Sequence, residues 1–131
     1  MSLPLVNWFV SGQSRAGSSG VTNVAGVLRM ADLRRACLML LDVAEQQFGG
    51  QVSLSELGVD YYWNLDLHAA FDMAGQPGQH VDCGQVSDDL AELTSLLRRG
   101  PDEVVALWHD LQHLSGLLRL LAYLDLPDAA K

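Results

Sequence analysis

Two histidines one turn apart, His109 and His113, form the sharpest chemical pairing in the sequence. Side chains at i and i+4 share a helix face, and that spacing lets two imidazoles grip one zinc ion. Between them stand Asp110, Leu111 and Gln112, so the glutamate that acts as base on a metalloprotease helix is missing. On a helical net the pair lies opposite Leu111, which reads better as the polar outer side of a helix than as a metal site. A second group is Asp66, His68 and Asp72, with Tyr61, Tyr62 and Trp63 just upstream and His80, Asp82 and Cys83 just after. Carboxylate, imidazole and thiol gathered in an irregular segment are the groups that acid–base or metal chemistry uses. Each also has a plainer role. Asp66 suits a helix N-cap, the aromatic residues anchor a strand, and residues 80–83 supply loop polarity. Asp88 and Asp89 are neighbours that point in different directions on a helix, so they are read as charges meeting its positive end. Cys-x-x-Cys, Gly-x-Ser-x-Gly, a glycine-rich phosphate loop and a dinucleotide fingerprint are all absent from the sequence. The sequence therefore assigns no catalytic residue, no metal ligand and no cofactor.

The elements that would position these groups follow from periodicity. From Val104 to Leu126 runs the longest apolar stretch, in which Val104, Leu107, Leu111, Leu114, Leu118 and Leu121 recur at steps of three and four. A second line, Leu117, Leu120 and Leu124 with Tyr123 beside it, makes its last turns apolar nearly all round, as in a helix that is central or covered by a partner. An earlier helix spans about 31–48, with a start near Thr22 also open. Its core face is Leu33, Cys37, Leu40, Leu41, Ala44 and Phe48, and Gly49-Gly50 stops it. A third helix begins at the cap Ser87, buries Leu90, Leu93, Leu96 and Leu97, and ends at Gly100-Pro101. So short a break predicts antiparallel packing against the last helix.

Between the helices, Val59, Tyr61, Trp63 and Leu65 alternate with polar residues, the period of a half-buried strand. Its expected partner is Val52–Leu54, through a turn at Leu57-Gly58. A short helix near 67–73 follows, and AGQPGQHVDCGQ reads as loop. The fold class is mainly α: a small antiparallel bundle of three main helices, about 22/31–48, 87–99 and 102–125, with a short extra helix and a minor β-hairpin in 52–65. Residues 1–29 are read as an N-terminal extension of linker composition, including the Gly/Ser-rich 11–20. Residues 30–131 are read as one domain, with Met30 as an alternative start.

Composition bounds the function. The chain has 131 residues, 49% hydrophobic and 18% charged, with sixteen acids against eight bases and a formal charge of −8. That excess disfavours nucleic acid and anionic membranes and favours a basic partner. No apolar run reaches the length of a membrane span, the opening MSLPLVNWFVSG lacks the basic start of a secretory signal, and two cysteines make no disulfide framework. A cytoplasmic setting is expected. The function expected is a small acidic non-catalytic interaction protein of adaptor, inhibitor or immunity type. Leu117, Leu120, Tyr123 and Leu124 would form a homodimer or partner surface. The rival is a small-ligand-binding protein or hydrolase-like enzyme built on residues 60–83, with Tyr61, Trp63, Asp66, His68 and Asp72 lining one pocket.

Overall fold

The structure is a computed structural model that describes residues 26–128. Helix α1 is Met30–Phe48, strand β1 Tyr61–Leu65, helix α2 Leu67–Ala70, strand β2 Val81–Gln85, helix α3 Val86–Arg99 and helix α4 Leu107–Asp125. Short 3-10 turns lie at Leu54–Glu56, Pro77–Gln79 and Pro101–Glu103. The mainly-α class stands, with three long helices, one short one and a two-stranded antiparallel sheet among the described residues. The described chain falls into two units, 26–51 with 125–128, and 52–124. The linker expected over residues 11–20 and the helix start near Thr22 lie outside the described residues. Among the described residues no helix is long and apolar enough to cross a membrane.

In the first unit, α1 is stopped by Gly49, whose N–H donates to the Glu45 carbonyl at 2.8 Å. The Gln47 side chain donates to the Asp125 carboxylate. Of the face expected to be core, Cys37, Ala44 and Phe48 are half-buried, and none of the 19 residues of α1 is buried.

In the second unit the strand expected over 59–65 exists, but its partner differs. Tyr61 pairs with Gln85, Tyr62 with Gly84, Trp63 with Cys83 and Leu65 with Val81. Residues 52–55 are irregular or 3-10 turn instead. Alternation over Val52–Leu54 is too short to specify a strand, whereas Val81–Gln85 runs directly into α3 and is held there by its end. The Val86 N–H donates to the Asp60 carbonyl at 2.7 Å, which locks the start of α3 to the start of β1. Residues 66–80 therefore form a wide connection carrying α2 rather than a tight turn.

The side-chain links between α3 and α4 pair Asp89 with His113 and Arg99 with Asp110, so the two helices run antiparallel, as their short connection requires. Both are rotated from the orientation that leucine spacing implies. Leu107, Leu111 and Leu118 are exposed, Leu111 at 52%, while His109, His113, Gly116 and Leu120 face inward at steps of four, three and four. On α3 the inward edge is Val86, Asp89, Leu93 and Leu96, and Leu90 and Leu97 are exposed. The core contains Val86 at 1% and Leu120 at 8% exposure, with one charged residue between them, Asp89 at 3%.

Candidate functional site

Register places Tyr62 opposite Gly84 across the sheet, and the ring lies over that glycine. A Cβ at Gly84 would stand 2.3 Å from Tyr62 Cζ, so only glycine lets the phenol reach across β2 to α3. The Tyr62 hydroxyl donates to Asp89 Oδ2 at 2.6 Å. The other oxygen, Oδ1, lies 2.7 Å from His113 Nδ1 on α4. Gly116, one turn beyond His113, provides the notch for this meeting: a Cβ there would fall 2.2 Å from Asp89 Oδ2 and 2.5 Å from the Tyr62 hydroxyl.

The chain of contacts continues outward. His113 Nε2 lies 3.3 Å from His109 Nε2, and the rings meet edge to face with centroids 4.5 Å apart. His109 in turn meets the Trp108 ring at 5.7 Å. The Asp110 carboxylate is 3.6 Å from the Arg99 guanidinium. Glu92, one turn after Asp89 on α3, brings a carboxylate oxygen within 4.8 Å of ring nitrogens of both histidines.

Burial and the Asp89 carboxylate push the Tyr62 phenol well above its usual range, desolvation being the larger cause. As a carboxylate, Asp89 only accepts hydrogen bonds, so His113 Nδ1 carries a proton and, in the neutral ring, Nε2 keeps its lone pair. At the start of α3, Asp60 accepts from Gln85 Nε2 at 2.7 Å, from the Ser87 N–H at 2.9 Å and from Ser87 Oγ at 3.2 Å. The Gln85 amide and then the Ser87 N–H hold the Asp60 carboxyl below the usual carboxylate range. Ser87 is thus a donor to Asp60 and not the cap that its sequence position implies. Asp89, expected to serve the helix end, is a buried acceptor.

The residues expected to line one pocket are spread over three. Tyr61 and Trp63 line a cleft of about 690 Å³ with Tyr62, Gly116, Arg119 and Leu120. Asp66, His68 and Asp72 line a cavity of about 120 Å³ with His80. Asp66 and His68 also border a cleft of about 640 Å³ with Phe71 and with Trp108 and Gln112 of α4. Asp66 stands at the N-cap of α2 without a side-chain cap bond. Asp72 closes its own turn by accepting from the Ala74 N–H at 3.2 Å. Of the expected docking residues, Leu120 is core, Leu117 and Leu124 are half-buried, and Tyr123 borders the larger cleft. Cys37 is half-buried and Cys83 exposed, both as free thiols.

No family model, curated protein or solved structure matches this chain. The site therefore stands on its own geometry. Asp89, Glu92 and the partnership of Tyr62 were missed in sequence. Their signal is the spacing of Asp89 and Glu92 at i, i+3 and of His109 and His113 at i, i+4, on two helices whose short connection sets them side by side.

Proposed function

We propose that this is a small acidic, non-catalytic interaction protein of adaptor, inhibitor or immunity type that works through an apolar helix. That helix is α1, and its first occupant is a second copy of the chain. The observation that carries the reading is that none of the 19 residues of α1 is buried, although Leu33, Leu38, Leu40, Leu41 and Val43 are all apolar and exposed, Leu40 at 69%. Exposed apolar side chains in that number on one helix suit a covering partner. Each leucine so covered contributes about 1.5–3 kcal/mol before the cost of association.

Charge favours a second copy. Arg29, Arg34 and Arg35 offset Asp32, Asp42 and Glu45, so residues 29–48 are neutral. Residues 52–124 hold eleven acids against three arginines, which equals the whole net charge of −8. Two α1 helices meet without net repulsion, and the acidic unit is left for a basic partner. The two free thiols fit a reducing, cytoplasmic setting.

Light scattering coupled to size exclusion tests the reading on the full chain. A dimer is expected, with Leu40→Glu monomeric and equally helical, because Leu40 is exposed and its replacement disturbs no core. A monomer at high protein concentration overturns it.

A second reading rests on the cleft of about 690 Å³, where Tyr61, Tyr62 and Trp63 stand near Arg119. Aromatic walls with one cation suit a small planar or anionic ligand. Quenching of tryptophan emission by such a ligand, abolished in Trp63→Phe, would support it, and no quenching would remove it.

A further inference from the structure

We propose that Glu92, His109 and His113 bind one divalent transition-metal ion of the zinc class, with Asp89 orienting His113. The proposal is independent of α1, since every residue in it belongs to the unit 52–124. Three features of the geometry carry it.

The first is the spacing of the two ring nitrogens. Ligands held 2.0–2.1 Å from a tetrahedral zinc lie about 3.3–3.4 Å from each other. His113 Nε2 and His109 Nε2 are 3.3 Å apart, and they approach from i and i+4 on one helix.

The second is the carboxylate behind His113. Asp89 is 3% exposed, holds His113 Nδ1 at 2.7 Å and is itself held by the Tyr62 hydroxyl at 2.6 Å. A carboxylate on one ring nitrogen fixes the tautomer and turns the lone pair of the other outward, the arrangement that metal-binding histidines commonly have behind them. Here that lone pair is aimed at His109.

The third is Glu92, which brings an oxygen within 4.8 Å of a ring nitrogen of each histidine from the facing helix, the only such triad of His, Cys, Asp or Glu among the described residues. A modest rotation of that long side chain completes a set of two imidazoles and one carboxylate. Two nitrogens and one oxygen favour zinc, cobalt or nickel over magnesium or calcium, which prefer all-oxygen shells. Three protein ligands leave a fourth position for water, and His109, 42% exposed at its side chain, places that position on the solvent side.

The test is titration of the full chain with cobalt(II), followed by its visible absorption, and then displacement by zinc. Expected is one ion per chain, with affinity lowered at least about 10-fold in His109→Ala and in Glu92→Gln. Asp89→Asn is expected to weaken binding about 10–100-fold, as loss of a supporting carboxylate does. His80→Ala, in the cavity of about 120 Å³, should leave binding unchanged. Should Asp89→Asn fold poorly, the partly exposed His109 and Glu92 variants decide the matter, with helicity checked by circular dichroism. No cobalt spectrum would overturn the proposal and leave a direct histidine–histidine hydrogen bond. Equal affinity in His109→Ala, or magnesium bound as tightly as zinc, would overturn it too.

Discussion

Asp89 is a buried carboxylate within the unit 52–124, and it is tolerable there because both oxygens have partners, Tyr62 on one and His113 on the other. Among the described residues no buried side-chain nitrogen or oxygen lacks a hydrogen bond. A paired buried group contributes little in net terms, but stranding its partners is expensive, about 1–3 kcal/mol for each. Asp89→Ala strands the Tyr62 hydroxyl and the His113 ring, so chemical denaturation should show a loss of about 2–4 kcal/mol. Gly116→Ala should also destabilise. Overpacking at the 2.2 Å approach costs about 1–3 kcal/mol and displaces the Tyr62–Asp89 bond, against about 1 kcal/mol gained in helix propensity. If Gly116→Ala stabilised the protein, the notch would not be what holds these residues together. Tyr62 adds a pH signature. Its folded-state pKa is raised, so its contribution is fully present below the ordinary phenol range near 10 and falls as pH rises beyond it. Tyrosinate absorbance should show one late-ionising phenol that Tyr62→Phe removes, and identical titrations of the two proteins would contradict this.

At the scale of elements, the long helices were legible because leucine and glycine spacing marks their extent: α1 and α3 lie within a residue of where the pattern puts them, 31–48 against Met30–Phe48 and 87–99 against Val86–Arg99. The last helix starts later than expected, at Leu107, because Pro101–Glu103 forms a 3-10 turn first. Which side faces inward was not legible. In α4 apolar residues occur nearly all round, so the leucine stripe could not specify a face, and the polar demand of Asp89 turned His113 inward with His109 beside it. The second strand was hidden for a similar reason: Val81–Gln85 looks like loop by composition, and its strand state depends on a register with Tyr61–Leu65, sixteen or more residues away in sequence. The cap of α3 is equally non-local. Asp60 supplies a backbone carbonyl and a carboxylate to residues 86 and 87, so Asp60→Ala should lower the melting temperature more than Ser87→Ala. Because Asp60 has a lowered folded pKa, its contribution is present above the usual carboxylate range and is lost as pH falls through it. The gap in melting temperature between wild type and Asp60→Ala should therefore close at acid pH. A larger effect from Ser87→Ala would return the cap to its local sequence position.

For the whole molecule, the uneven charge organises the account. Residues 52–124 carry −8 while residues 29–48 are neutral, so the two partners proposed above would answer differently to salt. Salt should separate them. A pairing through α1 would be apolar and should persist or strengthen as ionic strength rises, whereas capture of a basic partner by the acidic unit should weaken. Amide hydrogen exchange on the full chain, followed across a wide range of protein concentration, tests the central claim most directly. Covering of α1 by a second copy predicts that protection over Met30–Phe48 rises with concentration while protection over Val86–Arg99 stays constant. Protection of α1 that is the same at every concentration would contradict the account.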